Sequence, residues 1–378
     1  MSKCDEGGAD GDVSTSDRKY RIGCALLPKK ESRYLTSHIL ELARKSGVEM
    51  CVVDPARPLS EQGYFDVIIH KRQMDRAWEQ NLEDYCRENP RLKVIDNVDG
   101  IRMLADRCTM LSIIDTDGME LHRPKKSRRN SGSCEEMAVQ GAAPADRLES
   151  PPRSRGDSPP RLERVSSVWA NTTKVTVLAP PQVLISEGST LEQVELDLKE
   201  ASVCYPLVAK SQWADGREGS HLLAVVHDRP ALQKLLDDGN DVNPPFVVQE
   251  YVEHGGVLYK IYVVGSRTMC SQRPSLSLSK GKHSGLELLP RISCQRRSSE
   301  NDVQQPKRVP PEWITHSLAN ALRKRLGLQL FNFDMIEAKG AEGVFYVLDI
   351  NYFPGVDKIR DFEKIFVDFL LGACREDS

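Results

Sequence analysis

Several features that mark common protein classes are missing from this chain of 378 residues. No apolar run approaches the roughly 18–20 residues that a helix needs to cross a bilayer, so no membrane span is expected. The ten cysteines form no C-x-x-C pair. Their scatter argues against a disulfide framework or a cysteine-based zinc site and favours a reducing compartment. The net charge of -3 gives no reason to expect nucleic-acid binding.

The N-terminal segment MSKCDEGGADGDVSTSD carries no recognisable targeting signal. It has neither the apolar core of a secretory signal peptide nor the Arg-rich, acid-poor composition of a transit peptide. We therefore expect residues 1–17 to be a disordered tail and the protein to be cytoplasmic. The basic stretch PKKSRR further along the chain leaves a nuclear location open.

Residues 18–115 alternate short apolar runs with helical patterns. The runs KYRIGCALL, MCVVD, YFDVIIH and LKVIDN have the length of strands, and amphipathic segments separate them. This alternation predicts an α/β domain with a parallel, Rossmann-like sheet. A single helix is expected from Asp99 to about Ile114. No G-x-G-x-x-G motif follows the first strand, so a dinucleotide site is not indicated.

Residues 116–173 break this pattern. The segment is rich in Arg, Ser and Pro and poor in apolar residues. It cannot bury enough surface to offset the entropy lost on ordering. We expect a disordered insertion, either a solvated linker or a regulatory segment phosphorylated at its Ser-Pro sites.

Regular patterns return in residues 174–378. The strand CYPLVAK ends on Lys210, and an amphipathic helix over 312–328 ends at Gly327. Two strands follow, LFNFDMIEA and VFYVLDINY, joined by KGAEG.

The last two strands carry oxygen donors where apolar residues are expected. Asp349 and Asn351 are two residues apart and project from one face of their strand. A hairpin centred on Ala341 and Glu342 places Asp334 opposite Asp349. Two facing carboxylates repel each other unless a cation lies between them. Few, hard oxygen ligands suit Mg²⁺ that also binds phosphates, which favours a metal site over a solvated hairpin face.

Two lysines interrupt apolar strands in the same half of the chain. Lys210 and Lys260 can bury their stems and direct their ammonium groups into a cleft, where they would meet the phosphates carried by Mg²⁺. Between them, the backbone of Gln249–Val252 is expected to present free groups to a flat base. A lone lysine in a strand is more often an edge residue whose ammonium group reaches solvent. Two such lysines in a chain that also has the acidic hairpin favour a phosphate site instead.

An ordered set of motifs resembles a known enzyme family. IIHK, ADGREGSH, QEYVEHGGVLYKIYVVG, QRPSL, LPRIS, LFNFDMI and VLDINYFPG occur in this order along the chain. Together they resemble the inositol-tetrakisphosphate 1-kinase / inositol-trisphosphate 5/6-kinase family, and its plant-type members most. The resemblance covers roughly residues 18–115 and 174–373. It implies an N-terminal parallel-sheet domain followed by the central and C-terminal domains of an ATP-grasp enzyme.

The resemblance implies a site for ATP and two Mg²⁺ ions. The nucleotide would contact Arg107, Lys210, Gln249, Glu250, Tyr251, Val252, Lys260 and Ser275, with Arg107 and Lys210 on the phosphates. Asp334, Asp349 and Asn351 would hold Mg²⁺, with Asp349 shared between the ions. Lys210, Asp349 and Asn351 would be the catalytic residues, and no general base is identified.

The same resemblance implies an inositol polyphosphate as the second substrate. Its phosphates would be bound by Lys30, Lys71, His221, Lys260, Asn351 and Gly355. Such a dense anion needs Lys and His side chains that converge from separate elements. The implied reaction moves the γ-phosphoryl group of ATP to an inositol tris- or tetrakisphosphate hydroxyl, in phytate metabolism, by a monomeric enzyme.

Two other functions remain open at this point. An ATP-grasp carboxylate–amine ligase would share the ATP site but act on a carboxylate. A non-catalytic inositol-phosphate-binding module would bind the polyanion without turnover, which the intact Asp334, Asp349 and Asn351 set argues against. The preferred inositol phosphate isomer is also open.

Overall fold

The computed structural model describes residues 19–72, 75–124, 169, 171–216, 219–237, 243–275, 278, 284–289, 309–356 and 359–375. Within these ranges the chain forms three sheets of four, five and six strands. The predicted tail 1–17 lies outside the described residues, and so does most of the predicted insertion. None of the helices in the described ranges is long and apolar enough to span a bilayer.

The N-terminal sheet is parallel, which confirms the predicted Rossmann-like domain. Its strands are β1 (Tyr20–Ala25), β2 (Val48–Val52), β3 (Val67–His70) and β4 (Lys93–Ile95). They are arranged in the order β2-β1-β3-β4, and every neighbouring pair is parallel. The helices α1 (Pro28–Tyr34), α2 (Ser37–Lys45) and α3 (Arg76–Glu88) connect them.

Local capping explains where two of these helices begin. The Thr36 hydroxyl accepts a hydrogen bond from the backbone N–H of Ile39 at the start of α2. The Asp75 carboxylate accepts one from the N–H of Trp78 at the start of α3. Both side chains satisfy a backbone donor that has no partner inside the helix.

The single helix predicted for residues 99–114 is wrong. The structure has two short helices there, α4 (Val98–Ala105) and α5 (Arg107–Met110). Asp106 between them is extended, and its carboxylate accepts a hydrogen bond from the N–H of Cys108. The N–H of Arg107 donates to the carbonyl of Gln212 at 2.8 Å. Asp106 thus ends one helix and caps the next, a role that its short polar side chain favours over a helix interior.

The six-stranded sheet contains the predicted acidic hairpin. Its strands are β5 (Met119–His122), β6 (Lys174–Leu178), β11 (Val257–Val264), β12 (Arg267–Pro274), β14 (Leu330–Glu337) and β15 (Val344–Tyr352). They lie in the order β12-β11-β14-β15-β6-β5. Only the pair of β15 and β6 is parallel among these neighbours.

Both ends of the range 116–173 differ from the predicted disordered insertion. The strand β5 lies within that range and pairs with β6, which follows it. Trp169 is 2% exposed and donates from Nε1 to Glu337 at 2.8 Å. Met119, Leu121 and Trp169 supply apolar surface that the composition of the whole segment concealed, because they are few among many polar residues.

The five-stranded sheet is antiparallel and has its own core. Its strands are β7 (Gln182–Ile185), β8 (Leu207–Ser211), β9 (Leu223–Val226), β10 (Phe246–Glu250) and β13 (Leu286–Leu289), in the order β13-β9-β8-β10-β7. The helices α6 (Leu191–Glu200) and α7 (Arg229–Asp237) pack on one face. Its buried residues form a cluster separate from the core of the other two sheets.

The parallel and the six-stranded sheets share one continuous core. Ile22 of β1 and Ile69 of β3 belong to the same buried cluster as Phe333 of β14 and Ile350 of β15. The helices α8 (Glu312–Leu326) and α9 (Phe362–Arg375) contribute to it. The predicted end of α8 at Gly327 is confirmed, with a left-handed φ of 64°.

Asp96 joins these two sheets through backbone hydrogen bonds. Its carboxylate, 2% exposed, accepts from the N–H of Gln329 at 2.6 Å and of Leu330 at 3.2 Å. Burial raises the pKa of Asp96 to about 6, although these two donors oppose that effect. The ionised carboxylate therefore satisfies two backbone donors at the start of β14.

Replacing Asp96 by Asn is expected to destabilise the protein by about 1–3 kcal/mol near neutral pH. The amide keeps one acceptor oxygen but turns an NH₂ group toward the second backbone N–H. Denaturant unfolding measures the loss. Asp99→Asn is the control, because the Asp99 side chain is 93% exposed. Equal stability of the two variants would contradict the structural role of Asp96.

Candidate active site

A cleft of about 370 Å³ lies between the five-stranded and six-stranded sheets. Apolar side chains from both sheets form opposite walls: Val208 and Leu223 on one, Leu258, Ile336 and Leu348 on the other. Arg107, Lys210, Asp334 and Asp349 also line the cleft and interact with one another, and they define its polar end. Two apolar walls with a polar end suit a flat, partly apolar ligand that carries a charged group.

The hairpin pairs Asp334 directly with Asp349, as predicted from the sequence. The pairing depends on an irregularity that the sequence argument did not include. Met335 pairs with Val347, so Leu348 is an extra residue in β15, a β-bulge. The turn is thus centred on Ala341 alone, and the bulge restores the opposition of the two carboxylates.

Asp349 lies among positively charged side chains in the cleft. Burial alone would raise the pKa of its carboxyl group, but the Arg107, Lys210 and Lys260 charges and the hydrogen bond from Asn351 together hold the pKa below its usual value. The Asn351 amide donates to its Oδ2 at 2.7 Å. Its Oδ1 is buried without a hydrogen-bond partner and lies 4.0 Å from Nε of Arg107.

Asp334 is paired with Lys260, its cross-strand neighbour on β11. The Lys260 ammonium lies 2.8 Å from Oδ1 of Asp334. Burial raises the pKa of Asp334 and the Asp349 charge adds to the rise, while Lys260 opposes it. The two carboxylates thus have different electrostatic environments, with more positive charge around Asp349.

Lys210 reaches across the cleft from one sheet to the other. Its Nζ donates to Oε1 of Gln249 at 2.7 Å and to the carbonyl of Leu348 at 3.3 Å. The bulge leaves that carbonyl outside the regular ladder. Burial lowers the pKa of Lys210 to about 8, although the Asp349 charge favours the protonated form. A lysine so placed responds to pH near neutrality.

Arg107 makes hydrogen bonds that its sequence context did not indicate. The guanidinium donates to three backbone carbonyls, those of Ser211 at 2.6 Å, Trp213 at 3.0 Å and Ser220 at 3.2 Å. These residues flank the loop that leads to His221. Arg107 lines the cleft, but its guanidinium fastens this loop beside Asp349, and only Nε lacks a partner.

Residues 249–252 and Ser275, predicted to contact the nucleotide, line the cleft. Their backbone is less free than expected. The N–H of Glu250 donates to the carbonyl of Pro181, and the N–H of Tyr251 donates to that of Pro206, both at 3.0 Å. The carbonyl of Val252 contacts Nδ1 of His254. Sequence cannot show that neighbouring strands already use these groups.

The predicted substrate lysines meet the end of β15. Lys30 donates to the carbonyl of Phe353 at 2.6 Å, and Lys71 to that of Tyr352 at 3.1 Å. The Lys71 ammonium also lies 3.3 Å from the centre of the Tyr352 ring. Burial and the Lys30 charge lower the pKa of Lys71 well below its usual value. Both lysines therefore contact the backbone one and two residues after Asn351.

The remaining predicted residues are near the same region. His221 lines the cleft and is exposed, and Gly355 is exposed after the end of β15. The sequence argument missed Lys29, which lines the cleft although its neighbour Lys30 does not. The sequence argument did not include the helix α1, which begins at Pro28. Consecutive residues of a helix project in different directions, so Lys29 and Lys30 have different surroundings.

The donor set suits a magnesium ion. Two carboxylates and one amide converge, and one oxygen of Asp349 has no hydrogen-bond partner. In the described ranges no group of three or more His, Cys, Asp or Glu converges as in a protein-only metal cage. An ion with few protein ligands is completed by water and phosphate oxygens, which is how Mg²⁺ is usually held.

Two family models and a set of curated relatives match this chain. The inositol 1,3,4-trisphosphate 5/6-kinase ATP-grasp domain matches residues 171–372, and the pre-ATP-grasp domain of that kinase matches residues 21–101. Inositol-tetrakisphosphate 1-kinase 3 of Glycine max is 35% identical over 95% of this chain and 86% of its own length. Inositol-tetrakisphosphate 1-kinase 1 of Oryza sativa subsp. indica is 32% identical over 96% and 87%.

Solved structures share the fold at low identity. D-alanine–D-alanine ligase from Bacillus anthracis superposes with a TM-score of 0.52 at 11% identity, covering 94% of this chain and 97% of the ligase. A RimK domain ATP-grasp protein from Sphaerobacter thermophilus has a TM-score of 0.50 at 14% identity, covering 93% and 100%. The architecture is therefore ATP-grasp, and by its two matched domains and its relatives the chain belongs to the inositol 1,3,4-trisphosphate 5/6-kinase family.

Proposed function

We propose that this protein is an inositol polyphosphate kinase that transfers the γ-phosphoryl group of ATP to a hydroxyl of an inositol trisphosphate or tetrakisphosphate. The observation that carries the proposal is the half-buried Asp334–Asp349 pair, which faces Lys210 across the cleft. Family membership supports the substrate class. The names of the relatives point to the 1-hydroxyl of a tetrakisphosphate and the 5- or 6-hydroxyl of Ins(1,3,4)P3.

ATP would lie between the two sheets. The apolar walls would enclose the base, and residues 249–252 with Ser275 would border the adenine and ribose. Lys210 would contact the phosphates, because its ammonium is buried at the polar end of the cleft. Arg107 would act on the phosphates mainly through Nε, while its other donors hold the loop before His221.

Asp334, Asp349 and Asn351 would hold one or two Mg²⁺ ions. When bound, Mg²⁺ supplies charge neutralisation at the β- and γ-phosphates. Lys260 already neutralises Asp334, so Asp349 is the more available carboxylate, and its unpartnered oxygen is the natural first ligand.

The inositol phosphate would bind at the end of β15. Lys30, Lys71 and Asn351 meet there, and His221 and Lys29 approach from the cleft. Each ammonium has three donors, so Lys30 and Lys71 can each bind a backbone carbonyl and a phosphate oxygen together. These basic side chains come from α1, from the end of β3 and from the segment before β9, and such a set fits a polyphosphate better than a small carboxylate.

Asp349→Asn is expected to lower kcat by about 100-fold or more, because it removes charge from the metal site. The assay measures ATP-dependent phosphorylation of a panel of inositol phosphates with Mg²⁺. Asp84→Asn, on an exposed carboxylate of α3, is the matched control. Product from the wild type but not from Asp349→Asn would support the kinase function.

No product with any inositol phosphate, despite ATP binding, would overturn it. Carboxylate and amine substrates would then be tested, since the ATP-grasp fold also occurs in the ligase named above.

ATP affinity is expected to fall as pH rises through about 8, because burial lowers the pKa of Lys210 to about 8 and the ammonium group loses its charge above that pH. The phosphates bind the protonated form, so Kd should rise roughly tenfold between about pH 7 and about pH 9. Calorimetry in two buffers of different ionisation enthalpy should show proton uptake on binding near pH 8. Lys210→Arg should remove the pH dependence, whereas a flat wild-type profile would contradict the role of Lys210.

Lys29 and Lys30 are expected to respond differently to replacement by Met. Lys29→Met should raise KM for the inositol phosphate about tenfold without loss of stability, because Lys29 is exposed in the cleft. Lys30→Met should lower the free energy of unfolding by about 1–3 kcal/mol, because the buried Phe353 carbonyl loses its donor. Steady-state kinetics give KM for each variant, and denaturant unfolding gives its stability. Equal changes of KM and of stability in the two variants would contradict the separate roles of Lys29 and Lys30.

A further inference from the structure

Asn332 is a buried amide that the described chemistry does not use. It lies on β14 two residues before Asp334, so both side chains project from the same face. It is 3% exposed, and its Oδ1 has no hydrogen-bond partner. A buried acceptor without a partner destabilises the folded state, so its presence here calls for an explanation.

The register of the hairpin places Asn332 directly opposite Asn351. Side chains opposed in this way have Cβ atoms about 4.5–5.5 Å apart. The next pair on the same face is Asp334 with Asp349. The unpartnered oxygen of Asn332 therefore adjoins the third proposed metal ligand.

The Asn351 amide is turned away from that oxygen. Its Nδ2 donates to Oδ2 of Asp349 at 2.7 Å. An amide that gives its NH₂ group to a carboxylate cannot offer its oxygen to a cation held by the same carboxylate. For Asn351 to become a ligand, the amide must rotate, and its NH₂ group then loses the acceptor on Asp349.

We propose that Asn332 is a positioning residue that accepts this released hydrogen bond. With Nδ2 of Asn351 bound to Oδ1 of Asn332, Oδ1 of Asn351 faces Asp349 and completes the Mg²⁺ site. Asn332 itself contacts neither the metal nor the substrate. The inference rests on the proposed function in one respect, that Asp334, Asp349 and Asn351 hold Mg²⁺. Residues that orient metal ligands in this way typically change metal affinity by about 10–100-fold.

Tyr262 is the other neighbour of Asn332 and supplies a control. It pairs with Asn332 from β11, and its phenolic oxygen accepts a hydrogen bond from Arg273 at 2.6 Å. If the Tyr262 hydroxyl were the partner of Asn332, removing that hydroxyl would reproduce the effect of removing the amide. Tyr262→Phe tests this directly.

The experiment measures metal binding without turnover. Mn²⁺ is titrated into protein that holds a non-hydrolysable ATP analogue, with protein in excess over nucleotide. The loss of the electron paramagnetic resonance signal of free Mn²⁺ reports binding. Asn332→Leu, which has nearly the same shape but no acceptor, is compared with the wild type and with Tyr262→Phe, each with Asn351 intact and as Asn351→Ala.

Asn332→Leu should weaken Mn²⁺ binding about tenfold when Asn351 is present and less than about twofold in Asn351→Ala. Tyr262→Phe should leave Mn²⁺ affinity unchanged. Thermal unfolding without metal should show Asn332→Leu to be at least as stable as the wild type, because the substitution removes an unpaired buried oxygen. If Asn332 had a purely structural role, Asn332→Leu would unfold at a lower temperature than the wild type.

Unchanged Mn²⁺ affinity in Asn332→Leu would overturn the proposal, and so would an equal loss in both Asn351 backgrounds. A raised KM for the inositol phosphate with normal Mn²⁺ binding would also overturn it, since Asn332 would then contact the substrate. Failure of the proposed function gives a different result: Asp349→Asn would bind Mn²⁺ like the wild type.

Discussion

Two carboxylates, Asp334 and Asp349, face each other on neighbouring strands, and the surrounding structure offsets their repulsion. Lys260 comes from the adjacent strand, Lys210 from the opposite sheet and Arg107 from a short helix near the end of the N-terminal domain. Leaving any buried charge uncompensated is costly. The six-stranded sheet, the five-stranded sheet and α5 therefore each contribute one positive charge to this pair of side chains.

Two irregularities of the backbone make this arrangement. The bulge at Leu348 aligns the carboxylates and directs a carbonyl to Lys210. The extended Asp106 separates α4 from α5 and starts a helix whose first residue is Arg107. Both depart from regular geometry at the point where charge is concentrated, as expected of functional sites, where local rules yield to the requirements of the site.

Much of the fold could be predicted from the sequence, because strand length, alternation and turn residues are local signals. The parallel sheet, the acidic hairpin and the end of α8 at Gly327 follow from such signals. The break at Asp106 could not, because it depends on a hydrogen bond to Gln212 about a hundred residues away. The partners of Arg107 and the unpartnered oxygen of Asn332 are also tertiary properties, and only the family resemblance connected Arg107 with the site.

The continuous core beneath the parallel and six-stranded sheets has a consequence for motion. The lysines proposed to bind the inositol phosphate and the carboxylates proposed to bind metal belong to elements that share this core, so they behave as one rigid body. The five-stranded sheet has a separate core and can tilt as a unit. Tilting would widen the nucleotide cleft and carry His221 with it, while the lysines proposed to bind the inositol phosphate would keep their distance to the carboxylates proposed to bind metal.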